Sequence, residues 1–263
     1  MTDFNTIELE RDAQGVATLW LNRPDKNNAF NAEMIAELLQ AIDQVQADDS
    51  LRFLILRGRG KHFSAGADLA WMQASAELDY NANLSDAREL AQLMVSLNQL
   101  KLPTLAVVQG AAFGGGLGLV SCCDMAIGTQ EAQFCLSEVR IGLIPAVISP
   151  FLVQAIGERA ARRYALTAER FDGRTARELG LLAECYAVQE LDQAIEDWVA
   201  KLLLNSPAAM RATKLLMLEV KHGELSTPLR RYTESAIARI RVSPEGQEGL
   251  KAFLEKRKPV WQA

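Results

Sequence analysis

The sequence predicts an α/β fold with largely parallel strands, and three observations support it. Short β-rich apolar runs alternate with stretches whose apolar residues recur at helical spacing. The alternation comes round twice before residue 130, as it does when parallel strands are joined by crossover helices. From residue 205 onward only helical patterns remain.

In chain order, residues 16–22 (VATLWLN) and 51–58 (LRFLILRG) read as strands, with a helix over residues 31–48 between them (NAEMIAELLQAIDQVQAD). A second round follows. Residues 85–100 (SDARELAQLMVSLNQL) are helix-like, residues 104–110 (TLAVVQG) are a strand placed after Pro103, and the apolar run GLGLVSCCDMAIGT over residues 116–129 looks like a buried helix. The last segments, SPAAMRATKLLMLEVKHG, STPLRRYTESAIARIRV and SPEGQEGLKAFLEKRK, each begin with Ser-Pro or Ser-Thr-Pro. That opening suits a helix N-terminus, where proline's missing N–H has no intrahelical partner to lose. The reading divides the chain into a core domain over residues 1–204 and a helical region over 205–263. Exposed apolar stripes on terminal helices predict packing on another subunit.

At 263 residues, 49% apolar and 23% charged, the chain can bury a sizeable core, and disorder is not expected. Its net charge of -5 argues against nucleic acid or an anionic membrane as partner. The N-terminus MTDFNTIELERD lacks a basic start before an apolar core, and no apolar run reaches a membrane span, so a cytoplasmic location is expected. Cys122, Cys123, Cys135 and Cys185 include an adjacent pair and no C-x-x-C, which reads as reduced core residues rather than a disulfide framework or a zinc site. His62 and His222 lack metal spacing and read as surface or packing residues. No metal is expected.

Three segments share a chemical theme. HFSAGADLAWM follows the second strand and turns through Ala65, Gly66, Ala67 and Asp68 towards a helix. GAAFGGGLGLVSCCD places Gly114, Gly115, Gly116 and Gly118 at a strand-to-helix junction, although each glycine within a helix costs about 1 kcal/mol relative to alanine. Bare backbone at a helix N-terminus offers donors and positive dipole to a developing negative charge, and two such amides from two loops make an oxyanion hole. Close helix packing or a tight turn is the plainer explanation of the glycines. A dinucleotide site fits poorly, because the cluster is G-G-G-x-G rather than G-x-G-x-x-G. In the third segment, AQFCLSEVRIGLIP, Glu138 stands among apolar residues. It reads either as a turn residue or ion-pair partner of Arg140, or as a partly buried acid whose raised pKa makes it a usable proton carrier.

LNRPDKNNAFN, FSAGADL, GAAFGGGLGLVSCCD, FCLSEVRIGLIP, TAERFDGRTARELGLL and FLEKRKPVW, in this order and spacing, strongly resemble the enoyl-CoA hydratase/isomerase (crotonase) superfamily over essentially the whole chain. The resemblance implies a spiral of repeated β-β-α units followed by a helical C-terminal region that builds homotrimers, commonly paired into hexamers. It implies an acyl-CoA substrate, with coenzyme A part of that substrate and no separate cofactor. The amides of Ala67 and Gly115 match the oxyanion hole for the thioester oxygen. Ala65, Asp68 and Leu69 match the wall that seats the adenine, Arg23 and Ala29 match the strip along the phosphates and pantetheine, and Phe253 and Lys256 match residues approaching the nucleotide end.

Family hydratases typically use two glutamates, one two residues beyond the glycine triplet and one in the segment matching LSEV. Here Glu138 fills the second place and Gly118 stands in the first. The wording of AGADLAWM, GGGLGLVSCCD and LSEVRIGLIPAVISPF resembles the hydratases of branched glutaconyl-CoA esters, namely isohexenylglutaconyl-CoA (also γ-carboxygeranoyl-CoA) of acyclic terpene breakdown or 3-methylglutaconyl-CoA of leucine breakdown. A double-bond isomerase, which needs one base, is the alternative. An RNA- or ligand-binding relative without catalysis is the alternative of another class. Trp71, Met72, Val147 and Ile148 are candidates either for shaping an acyl pocket or for core packing.

Overall fold

The computed structural model describes residues 4–221 and 223–262, so His222 lies outside the described residues. Contacts divide the chain into two compact units, Met1–Leu100 with Thr104–Asp192, and Lys101–Pro103 with Gln193–Ala263. The helical texture that begins at residue 205 falls inside the second.

The first unit opens with β1 (Ile7–Arg11) and β2 (Val16–Leu21), then α1 (Ala32–Ala47) and β3 (Phe53–Gly58). Asn31 caps α1 by accepting the Met34 N–H, and Met34, Ile35, Leu38, Ala41, Ile42 and Val45 form its buried stripe, the spacing of one helix face. After α2 (Leu69–Ala76) and α3 (Tyr80–Asn98) come β4 (Thr104–Val108), β5 (Ala111–Phe113), α4 (Gly115–Cys122), β6 (Met125–Thr129) and β7 (Gln133–Cys135). The unit continues through α5 (Ser149–Ile156), α6 (Glu158–Thr167), β8 (Phe171–Asp172), α7 (Gly173–Glu178) and β9 (Glu184–Tyr186).

The larger sheet has the order β1-β2-β3-β4-β6-β9, antiparallel between β1 and β2 and parallel elsewhere. The smaller sheet, β5-β7-β8, takes the strands that follow β4 and β6. From β4 to β7 the chain thus alternates between two sheets, which is the spiral of β-β-α units expected from the resemblance; β8 then adds to the smaller sheet and β9 to the larger. β4 is buried along its whole length, as the unbroken apolar run of a parallel strand requires.

The apolar run 116–129 is not one helix. It breaks at Asp124, whose Oδ2 accepts the Thr104 N–H at 2.8 Å and the Thr104 hydroxyl at 2.9 Å, while the Asp124 N–H donates to Thr104 Oγ1 at 2.8 Å. That clasp ends α4 and starts β6 beside β4. Hydrophobic periodicity cannot find such a break, because a buried helix and a buried strand are both apolar throughout.

The second unit contains most of α8 (Leu191–Leu203), then α9 (Pro207–Val220), α10 (Thr227–Val242) and α11 (Pro244–Leu254). The last three carry the expected signal: Ser206, Ser226 and Ser243 accept N–H groups from Ala209, Leu229 and Gly246, each with proline in the first two positions. Leu215, Met217, Ile237, Val242, Leu250 and Leu254 are exposed on these helices. No described helix is long and apolar enough to cross a membrane. Among the described residues no three His, Cys, Asp or Glu side chains are grouped to hold a metal, and none of the four cysteines is in a disulfide, Cys122 and Cys135 being buried and Cys123 and Cys185 half-buried.

Candidate active site

The loop after β3 is zipped to β5 and to the segment before α1. Phe63 and Ser64 donate their N–H groups to Gln109 O and Ala111 O, both at 2.9 Å, and Phe113 N–H returns to Ser64 O at 3.0 Å. On the other side Phe30 N–H donates to Gly66 O at 2.7 Å and Asp68 N–H to Phe30 O at 2.8 Å. In that parallel bridge the intervening residue, Ala67, turns its own N–H away from Phe30. The Ala67 N–H has no acceptor among the described residues, and the residue is exposed.

Gly115 supplies the second bare amide. It is the first residue of α4, so its N–H has no intrahelical acceptor. Gly114 before it has φ 48° and ψ -118°, a conformation that favours glycine, and its own N–H is committed to Cys135 O at 3.0 Å. The two loops touch: a Cβ built on Gly66 would lie 3.1 Å from Phe113 O, and one built on Gly114 would lie 4.0 Å from Gly66 Cα. Ala67 and Gly115 are thereby brought together from distant parts of the chain.

Glu138 opens a short 3-10 turn, Glu138–Ile141, soon after β7. Its carboxyl lies over the glycines, with Oε1 only 3.2 Å from where a Cβ on Gly114 would stand. Its Oε2 is buried with no hydrogen-bond partner among the described residues. Burial raises the Glu138 pKa above the usual carboxylate range. The ion pair with Arg140 that the sequence left open is not formed. Arg140 instead donates from Nη2 to Ala168 O at 2.6 Å, the carbonyl at the left-handed residue (φ 50°) that ends α6, and so pins the turn that carries Glu138.

The other sequence-assigned residues fall in two places. Arg23 donates to Ala29 O at 2.6 Å and to Asp68 Oδ2 at 2.9 Å, so its guanidinium ties the segment before α1 to the loop of Ala67. Asp68 also caps α2 by accepting the Ala70 and Trp71 N–H groups. Burial alone would raise its pKa, but these hydrogen bonds and Arg23 hold it below its ordinary value. Ala65 donates its N–H to Asn27 O at 2.9 Å, and Leu69, in the first turn of α2, is 82% exposed. Phe253, on α11, is 81% exposed, and Lys256 follows it with φ 54°; both belong to the second unit.

Among the supporting residues, Asn28 and Ser64 were not singled out from sequence, and His62 was read as a surface or packing residue. Asn28, fully buried at φ 54°, donates from Nδ2 to Arg59 O and His62 O and accepts the Arg23 N–H at Oδ1. Ser64 Oγ donates to Asn28 O and accepts the Gly66 N–H. His62 Nδ1 accepts the Ala111 N–H at 3.0 Å, and burial, then Lys61, lowers its pKa, which keeps that acceptor unprotonated. The only signal for these in the sequence was the pair Asn27-Asn28, both in left-handed conformation.

Two outward backbone N–H groups at one spot, backed by a helix N-terminus and overlooked by a desolvated carboxyl, define an enzyme that polarises a carbonyl and moves a proton beside it. Its family follows from comparison with known proteins. The sequence matches the enoyl-CoA hydratase/isomerase family over residues 11–263, and the chain belongs to that family. It is similar to an enoyl-CoA hydratase structure from Shewanella pealeana (48% identity, TM-score 0.94, covering 98% of this chain and 96% of that one). It is also similar to the Pseudomonas aeruginosa AtuE structure (40% identity, TM-score 0.95, covering 98% and 100%). The 2,3-dehydroadipyl-CoA hydratase of Escherichia coli is 30% identical, over 94% of each chain.

Proposed function

We propose that the protein adds water across the α,β-double bond of a branched glutaconyl-CoA thioester, with isohexenylglutaconyl-CoA the first candidate and 3-methylglutaconyl-CoA the second. The observation that carries the reading is the Glu138 carboxyl held over Gly114, desolvated and with one oxygen unpartnered among the described residues, next to the amides of Gly115 and Ala67. The two N–H groups accept the thioester oxygen and stabilise the enolate as charge moves onto it. Glu138 takes a proton from water as the water oxygen bonds to the β-carbon, then delivers that proton to the α-carbon, so one carboxyl closes the cycle. Its raised pKa suits a group that must both take and give a proton near neutrality.

The same single carboxyl supports a second reading. A base that removes a proton from one carbon and returns it to another would move the double bond without adding water. Purified protein incubated with 3-methylglutaconyl-CoA, its isohexenyl homologue and crotonyl-CoA, with products identified by mass, separates the two. Gain of one water on a glutaconyl ester supports the hydratase; unchanged mass with a displaced double bond overturns it in favour of the isomerase. Coenzyme A itself would lie along Arg23, Ala29, Ala65, Asp68 and Leu69. The exposed apolar residues of α9 to α11 support assembly as a homotrimer or a pair of trimers.

A further inference from the structure

Gly118 lies inside α4 and donates its N–H to Gly114 O at 3.1 Å, which places it one turn from the head of the helix. Glu138 occupies the space over Gly114. The space over Gly118 is taken by Ile148, a residue 3% exposed at the start of α5. A methyl group built on Gly118 would overlap Ile148 Cγ2, and would stand 3.0 Å from Ile148 Cβ and 3.2 Å from Met94 Cε. Ile148 cannot easily swing clear, because its β-branch restricts χ1 and its carbonyl accepts the Leu152 N–H at 3.0 Å.

We propose that Ile148 is a specificity-determining residue: by filling the hollow over Gly118 it holds the site to one protein carboxyl and gives the reacting carbons an apolar neighbour one turn from Glu138. The functional half rests on the reading of Glu138 as proton carrier; the packing half does not. An apolar wall at that place suits an enoyl thioester with an alkyl branch at the β-carbon, which a carboxylate there would crowd and leave poorly solvated.

The test is a pair of substitution cycles. Within a helix Gly→Ala normally stabilises. Gly118→Ala should instead lower Tm by roughly 3–8 °C in the Ile148 protein and raise it by roughly 2–4 °C in an Ile148→Gly background, which removes both Cγ2 and Cβ. The same sign in both backgrounds overturns the packing claim. The second cycle exchanges side chains, Gly118→Glu with Ile148→Gly. The double variant should recover most of the Tm lost in Gly118→Glu alone, and raise kcat/KM for crotonyl-CoA relative to the branched glutaconyl ester by about tenfold or more. A sign reversal in the first cycle with no change in substrate ratio in the second overturns the specificity role while leaving the packing. Undiminished activity in Glu138→Gln would remove the proton-carrier reading instead, an outcome neither cycle can imitate.

Discussion

Glu138→Gln should separate function from stability in opposite directions. The substitution keeps the shape of the side chain and removes its charge. If Glu138 carries the proton, kcat falls by about 10²–10⁴-fold, while acyl-CoA binding changes little because the oxyanion donors are backbone. Stability should not fall with it. Oε2 is buried and has no hydrogen-bond partner among the described residues, so the ionised form bears an uncompensated desolvation cost, and relieving it should contribute on the order of 1 kcal/mol. For a chain of this length that is a rise in Tm of roughly 2–4 °C. The sign with pH follows from the raised pKa of the folded state. Below the unfolded value near 4.3 the group is protonated in both states, and the folded protein has its full stability. As pH rises through the folded pKa the wild type ionises and loses stability that the glutamine variant keeps. Scanning calorimetry of both proteins from pH 4 to pH 8 should therefore show a Tm gap that opens with pH in favour of the variant. A gap independent of pH, or a variant less stable at pH 8 than at pH 4 relative to wild type, would refute the reasoning.

Three further outcomes are expected. Gly114→Ala must hold a side chain at φ 48° and bring a methyl to 3.2 Å from Glu138 Oε1, so Tm should drop by roughly 2–6 °C and kcat with it, read by thermal unfolding and turnover. Arg140→Met releases the turn from Ala168 O; kcat should fall about tenfold with KM little changed, the kinetic pKa assigned to Glu138 should move, and Arg140→Lys should restore part of both, whereas an unmoved pH profile would leave Arg140 merely structural. Asp68→Asn weakens the tie to Arg23 and the cap of α2. Because the Asp68 pKa is held low, its contribution is present above the unfolded value near 3.9 and is lost as pH falls through the folded one, so the variant's deficit in Tm should be largest near pH 7 and shrink in acid.

The segments that form the candidate site were legible in the sequence and the residues that support them were not, for a physical reason. Ala67, Gly115 and Glu138 lie in short segments whose composition is itself unusual: glycines where helix should be, and an acid among apolar residues. β2, β3 and α1 were legible because each is long enough to show a period. β5, β7, β8 and β9, of two or three residues each, show none, and the loops of Ala67 and Gly115 are set in register through β5 and β7. The roles of Asn28, Ser64 and His62 depend on pairings 31 to 49 residues apart in sequence, which no local pattern can announce. The sequence left Arg140 open as a partner for Glu138 because the two are neighbours; its acceptor, Ala168 O, is 28 residues away.

The glycine run is where a string of letters misleads most, because one residue type answers three separate demands. Gly114 is required by its backbone angles, and its N–H is already used. Gly115 presents its amide at the head of α4, where the dipole favours negative charge, and avoids a Cβ that would stand 3.0 Å from Phe30 Cε2. Gly118 answers neither demand. It lies inside regular helix, where alanine would be about 1 kcal/mol better, and what forbids a side chain there is Ile148 from another element. A glycine disfavoured by its own helix persists only if its partner is worth more than the loss. On the proposed reaction the partner's value is chemical: one carboxyl that both takes and returns the proton, facing carbons whose branch is met by hydrocarbon. Substitution at position 118 therefore tests the catalytic design through a residue that contributes no atom to it.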